Sequence, residues 1–145
     1  MRAVVQRVNH AILTVEDREI SRIGTGYLVL VGFTDTDNEE LVDRIVDRIV
    51  KMRIFRDENG KTNNDLASVN GEVMVVSNFT LYGNCFTNRR PDFSAAAHYD
   101  AALPLYRYAV EAFRKRLGRV AQGVFGEHMH IDMSSDGPVT LILEK

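Results

Sequence analysis

Apolar residues recur along this chain with two different periods, and the changes from one to the other mark out its elements. Ala3 to Val8 and Ala11 to Val15 alternate as two strands. The second runs through the polar tetrad Glu16-Asp17-Arg18-Glu19, suited to a hairpin, into Ile20 and Ile23. After Gly24-Thr25-Gly26 the run Tyr27 to Phe33 is apolar on both faces, as in a strand covered on both sides. The period then lengthens. Leu41, Val42, Ile45, Val46, Ile49, Val50 and Met52 fall at helical spacing, with Asp37 placed as N-cap and Glu40 three residues on. Glu39, Glu40, Asp43, Arg44, Asp47, Arg48 and Lys51 form the polar face of this helix and read as solvated. Asp57 to Lys61 is a turn, and Thr62 to Ser68 a loop with at most one short helical turn. A second helix is predicted over Asp100 to Leu117, with Pro104 in or near its first turn and Gly118 ending it.

Between the helices lies the stretch around which the chain is organised. Val73 to Val76, after the turn signal Asn70-Gly71, reads as a strand buried on both faces. It then places Ser77, Asn78 and Thr80 where the apolar run should continue. Hydroxyls, an amide and free backbone N–H groups at the tip of a rigid strand can hold a ligand. The same residue types also close ordinary strand ends.

Composition narrows the possibilities. The chain has 145 residues, 45% hydrophobic and 26% charged, the make-up of one globular domain over 1–145. No apolar run approaches a membrane span and the N-terminus alternates like a strand, so the expectation is a cytoplasmic protein with no membrane partner. A net charge of −2 leaves nucleic-acid binding to local basic patches. The single cysteine, Cys85, excludes an intramolecular disulfide framework and a cysteine-based zinc cage. No base stands near it in sequence to make it a nucleophile.

Other patterns offer chemistry of their own. Gly24-Thr25-Gly26 lacks the third glycine of a dinucleotide fingerprint and the Gly-Lys of a P-loop, and it precedes a strand. In the loop Gly83 to Phe93, Arg89 and Arg90 stand between Phe86 and Phe93 and can grip a phosphate and stack a base, or tuck their aromatic neighbours into the core. Arg114, Lys115, Arg116 and Arg119 complement the end of the second helix or contact phosphate. His128, His130 and Asp132 alternate with Met129, Ile131 and Met133. Two imidazoles and a carboxylate on one strand face can hold zinc, or simply face solvent. No Ser-His-Asp order and no nucleophile elbow is present, so an acyl-enzyme route has no obvious cast.

Near the C-terminus, Ser134-Ser135-Asp136-Gly137-Pro138 reads as a turn into another apolar strand, Val139 to Leu143. The opening Met1-Arg2-Ala3-Val4-Val5-Gln6-Arg7-Val8, the Ser-x-x-Thr tip and Gly-Pro-Val-Thr some sixty residues later resemble the D-aminoacyl-tRNA deacylases. Arg53-Ile54-Phe55, Gly71-Glu72-Val73, Arg90-Pro91-x-Phe93 and Pro104-Leu105-Tyr106 fall in that family's order.

The resemblance implies a mixed α/β fold, with curled, barrel-like β layers covered by a helical layer of two main helices. It implies a homodimeric carboxylic ester hydrolase that frees D-amino acids, and glycine, from tRNA without metal or cofactor. Carried over, the catalytic positions are Ser77, Asn78, Phe79 and Thr80, and the RNA's own 2′-hydroxyl assists the attack. Gly137 and Pro138, joined by a cis peptide, enter the partner subunit's pocket and exclude an L side chain, with Arg7 bracing the turn across the dimer. Phe125 and Met129 line an adenosine pocket, and Arg89 and Arg90 contact tRNA. Beside this stand a metal-dependent hydrolase built on His128, His130 and Asp132, and a non-catalytic dimeric tRNA-binding module. Three positions depart from the family pattern: Asn78 stands where Gln is usual, Ser135 where Asn is usual, and Thr87-Asn88-Arg89-Arg90-Pro91 replaces Lys-Gly-x-Arg-Pro.

Overall fold

A computed structural model describes residues 1–86 and 89–145. One strand, β1 (Arg2–Val15), runs through both segments that the alternation separates. Met1, Ala3 and Val5 belong to one apolar cluster, whereas Val8, Ala11 and Leu13 belong to another. The switch of face occurs at exposed Asn9 and His10, where the pairing with the C-terminal strand is irregular. The polar pair therefore marks a change of side within one strand, not a break between two. Glu16 and Asp17, at φ 47° and 61°, turn β1 into β2 (Arg18–Ile23).

Strand β3 (Gly26–Gly32) lies antiparallel to the first half of β1, and β6 (Glu72–Ser77) lies parallel to β3. Between them come helix α1 (Glu39–Val50), a small hairpin of β4 (Phe55–Arg56) and β5 (Thr62–Asn64), and a 3-10 turn at Ala67–Val69. After β6 follow a second 3-10 turn (Phe79–Tyr82), helix α2 (Tyr99–Leu117), β7 (Ala121–Gln122) and β8 (His130–Glu144). The main sheet has the order β2-β1-β3-β6-β7, with β8 along the other side of β1. This is the expected mixed α/β architecture: a nearly closed, barrel-like sheet with two helices.

Burial on both faces explains the continuous apolar runs. Along β6, Val73 and Val75 face the cluster shared with the helices, which includes Ile45, Ile49, Tyr106 and Phe113. Met74 and Val76 point into the curl of the sheet, with Leu28 and Leu13.

Four expectations are corrected. Asn38, not Asp37, caps α1, its side chain accepting from the Leu41 N–H at 3.0 Å. Asp37 instead accepts from the Thr34 N–H at 2.8 Å and pairs with the buried Met1 ammonium at 2.5 Å, because a buried cation needs a charged partner more than a helix end does. The polar face of α1 is only partly solvated: Asp43 takes the Tyr108 hydroxyl and, with Asp47, pairs with Arg116 of α2. Arg116 is thus occupied between the helices. Pro104 sits inside α2, in its second turn, rather than near the first. Ser134 to Pro138 is not a separate turn; it lies within β8, at the irregular pairing with β1.

Buried phenols tie the layers together. The Tyr106 hydroxyl, on α2, lies 3.0 Å from the Val75 carbonyl and 3.2 Å from that of Gly123. Burial pushes this phenol from 10.0 up to about 12, does the same to Tyr82, and raises Tyr27 further. A raised phenol pKa means that the folded state keeps protons the unfolded chain releases, so the stabilisation is complete below pH 10 and is lost as pH rises towards about 12. Calorimetry across pH 8 to ~12 should show Tm falling from about pH 10 upward, and more weakly for Tyr106→Phe. A flat profile would mean these phenols titrate as they do in water.

Candidate functional site

Strand β6 ends at Ser77 beside the end of β3, where Asn78 N–H donates to the Val31 carbonyl at 2.7 Å. The approach is close: a Cβ on Gly32 would lie 2.8 Å from the Asn78 carbonyl oxygen, so only glycine lets the chain turn there. Asn78 then caps the 3-10 turn Phe79–Tyr82. Its side-chain oxygen accepts from the Thr80 N–H at 3.2 Å and from the Thr80 hydroxyl at 2.5 Å. An N–H can meet only an acceptor, which fixes which end of the amide faces Thr80. The Asn78 NH2 is thereby turned away from it, and the Thr80 oxygen keeps its lone pairs for another partner. This Asx turn is also what the shorter side chain permits where a Gln would reach past its own turn.

The far end of the turn is anchored to the chain ends. Arg2 donates to the Leu81 carbonyl, pairs with Glu144 at 2.5 Å, and lies over the Tyr82 ring at 4.8 Å. The tip is therefore held from β3 on one side and from the β1–β8 pair on the other.

Ser77, Asn78, Phe79 and Thr80 together line a cavity of about 610 Å³. The segment after β7, the sheet neighbour of β6, brings Phe125, Gly126, His128 and Met129 to the same space, and Tyr99 comes in from the start of α2. The structure thus brings the four tip residues, and Phe125 and Met129, which the resemblance singled out, to one cavity. Sequence pattern misses Tyr99, which precedes the predicted helix start and belongs to no periodic set, and it puts His128 in a different constellation. His128 lies outside β8, its ring edge-on to His130 at 4.9 Å. Among the described residues no three His, Cys, Asp or Glu side chains gather as metal ligands, so the His128/His130/Asp132 reading loses its geometry.

Gly137 and Pro138 do not line this cavity. Their peptide is cis, both residues are exposed, and they lie on β8. Register runs from Ser77 through Val31 and Ala3 to Leu143, so the Gly-Pro pair sits three strands across and five residues along, roughly 20 Å measured along the sheet by ordinary strand spacing. Arg7 reaches this segment within its own chain. It is 3% exposed, its Nε lies 2.8 Å from an Asp136 carboxylate oxygen without being aimed as a hydrogen bond, and its Nη1 donates to the Ile54 carbonyl. Arg89 and Arg90 are exposed, as is Phe86; Thr87 and Asn88 of that loop lie outside the described residues.

The family model described as D-Tyr-tRNA(Tyr) deacylase matches residues 4–144. The chain belongs to that family. Among its deacylase relatives are the D-aminoacyl-tRNA deacylase of Protochlamydia amoebophila (strain UWE25), 46% identical over 99% of this chain and 95% of the relative. The D-aminoacyl-tRNA deacylase of Thermus aquaticus matches with the same identity and coverage. A solved structure described as "c-Myc DNA Unwinding Element Binding Protein" is 36% identical, with a TM-score of 0.93 over 100% of this chain and 99% of that one. A "probable eukaryotic D-amino acid tRNA deacylase" shares the fold, with a TM-score of 0.86 at 19% identity over 98% and 97% of the two chains. In this chain Ser77 and Thr80 both belong to the cavity wall, with Asn78 and Phe79 between them.

Proposed function

We propose that this chain is a D-aminoacyl-tRNA deacylase that cleaves the aminoacyl ester in the cavity at the end of β6. The observation that carries the reading is the meeting, in a chain related to deacylases over its full length, of the polar tip and an aromatic wall across one cavity. Family membership makes the chain a hydrolase; the assignment of roles is ours.

The chemistry asks for little. An aminoacyl ester is activated, so holding it beside a water and stabilising the developing oxyanion suffices, without a protein nucleophile. The Phe79 N–H, first in its turn, has no acceptor among the described residues and can serve as one donor. With its proton committed to Asn78, the Thr80 oxygen can accept from the attacking water or from the RNA's 2′-hydroxyl. Ser77 and the Asn78 NH2 complete the polar side, and Phe125 and Met129 receive the terminal adenosine.

Chirality is enforced from another copy of the chain. The Gly137-Pro138 backbone is exposed and does not line its own chain's cavity, and β8 also exposes Leu141 and Ile142, an apolar surface suited to a partner. In a homodimer the Gly-Pro main chain of one copy walls the other's cavity and rejects an L side chain by steric clash. Arg7 holds that segment through Asp136. Glycyl-tRNA, having no side chain to clash, passes the filter. Arg89 and Arg90 meet the tRNA backbone, the enzyme needs no metal or cofactor, and it works in the cytoplasm on tRNA.

Single-turnover assays should show D-Tyr-tRNA hydrolysed and L-Tyr-tRNA spared, with no effect of EDTA. Equal hydrolysis of both would sink the steric filter, inhibition by EDTA would restore a metal mechanism, and tRNA binding without turnover would make the protein a non-catalytic module.

A further inference from the structure

Tyr99 is a large aromatic residue, yet 58% of it is exposed, and it lines the cavity. A surface tyrosine on a helix ordinarily has freedom to swing; here the flanking backbone is tied down and the ring has an aromatic neighbour. On its N-terminal side, Ala97 N–H donates to the Phe33 carbonyl at 2.8 Å and His98 N–H to Asp35 at 3.2 Å, and on its C-terminal side α2 begins. The ring itself stands edge-on to Phe125, centroids 5.1 Å apart at 75°. Phe125 in turn lies 5.5 Å from Tyr106, whose buried hydroxyl is fastened to Val75 and Gly123. Three rings thus form a chain from the core to the cavity. Gly126, at φ 84°, leaves room for the outermost: a Cβ there would lie 3.2 Å from the Tyr99 ring.

An aromatic ring held rigid from behind and bare in front presents a flat apolar face at low entropic cost, and such faces are what stacked nucleobases use. We infer that Tyr99 is the outer stacking platform for the nucleobase of the RNA's 3′-terminal adenosine, and that it supplies affinity for the RNA rather than chemistry or chirality. The inference rests on the reading of the cavity as the aminoacyl-tRNA site. The Ser77–Thr80 tip lines the same cavity, so a base held on Tyr99 leaves the ester within reach of the hydroxyls. Tyr99 is a positioning residue that touches the base and not the reacting atoms.

Two measurements test this on the full-length protein: calorimetric titration with free adenosine, and steady-state deacylation of D-Tyr-tRNA. Tyr99→Ala and Tyr99→Leu should each weaken adenosine binding and raise KM by about tenfold, the range of one stacked base, while kcat and the D-to-L ratio stay within twofold. Tyr99→Phe should behave as the unaltered protein, since the π face and not the hydroxyl matters. Leucine retaining full affinity would show that apolar bulk is enough and overturn the stacking role, as would a failing phenylalanine variant, a fall in kcat, or loss of Tm in the alanine variant. If the unaltered protein fails to deacylate yet binds adenosine through Tyr99, the functional reading falls and this one stands. Normal turnover with KM and adenosine affinity untouched in Tyr99→Ala has the opposite meaning.

Discussion

Thr80→Val should lower single-turnover deacylation of D-Tyr-tRNA by about a hundredfold or more, the scale of losing one polar group that acts in the transition state, while tRNA affinity stays near that of the unaltered protein. The substitution keeps shape and removes the hydroxyl that lies 2.5 Å from the Asn78 side-chain oxygen on the cavity wall. Thr80→Ser should recover most of the rate, because the oxygen and its donated proton survive. Asn78→Asp keeps an acceptor for the Thr80 N–H and hydroxyl, and should retain more activity than Asn78→Ala, which lets the hydroxyl turn freely. A Thr80→Val rate within threefold of the unaltered protein would remove Thr80 from the reaction and leave the backbone N–H groups and the RNA hydroxyl to carry it.

The second large effect is on stability. Asp37→Ala should cost about 3–5 kcal/mol, the usual result of stripping one partner from a buried ion pair. The Met1 ammonium is wholly buried and the Asp37 side chain is 3% exposed, so water cannot take the place of the carboxylate. The ammonium's other contact is the Lys145 carbonyl at 3.0 Å, a neutral acceptor that cannot balance the charge. Single domains are stable by about 5–15 kcal/mol, so urea denaturation should show a large fraction of the total gone. Asp37→Asn, which still offers an oxygen to the Thr34 N–H, should lose less than alanine. A loss under about 1 kcal/mol for Asp37→Ala would mean that the ammonium reaches solvent.

The same residue shows where sequence reading stops. Asp37 has the composition of an N-cap and stands at the right place, yet the choice between Asp37 and Asn38 depends on a residue thirty-six positions away. Local chemistry is symmetrical there; tertiary charge decides it. Periodicity located α1, α2, β3 and β6 because burial on one or two faces imposes a repeat on the chain. It split β1 because a strand passing between two cores must break its own alternation, and Asn9-His10 looks the same whether the backbone turns or continues. The tip residues were visible as polar interruptions of an apolar run. Tyr99 was not, since a lone tyrosine ahead of a helix carries no pattern until Phe125 and Tyr106 are placed behind it. The separation of Gly137-Pro138 from the cavity of its own chain is a matter of register across three strands, which no local motif encodes.

One phenol has a wider reach than its size suggests. Tyr106 reaches both the strand that carries the polar tip and the segment that carries Phe125 and Met129, through carbonyls a single proton can serve. The two segments are also joined directly, β6 pairing with β7 and the Gly123 N–H donating to the Val75 carbonyl at 3.0 Å, so the helix braces from behind a junction that the sheet already fixes. A cleft fastened at its base in this way resists widening for a bulkier guest. Breadth of substrate, where the enzyme has it, must come from leaving the variable part of the guest outside, at the rim, with the jaws gripping only what every guest has in common.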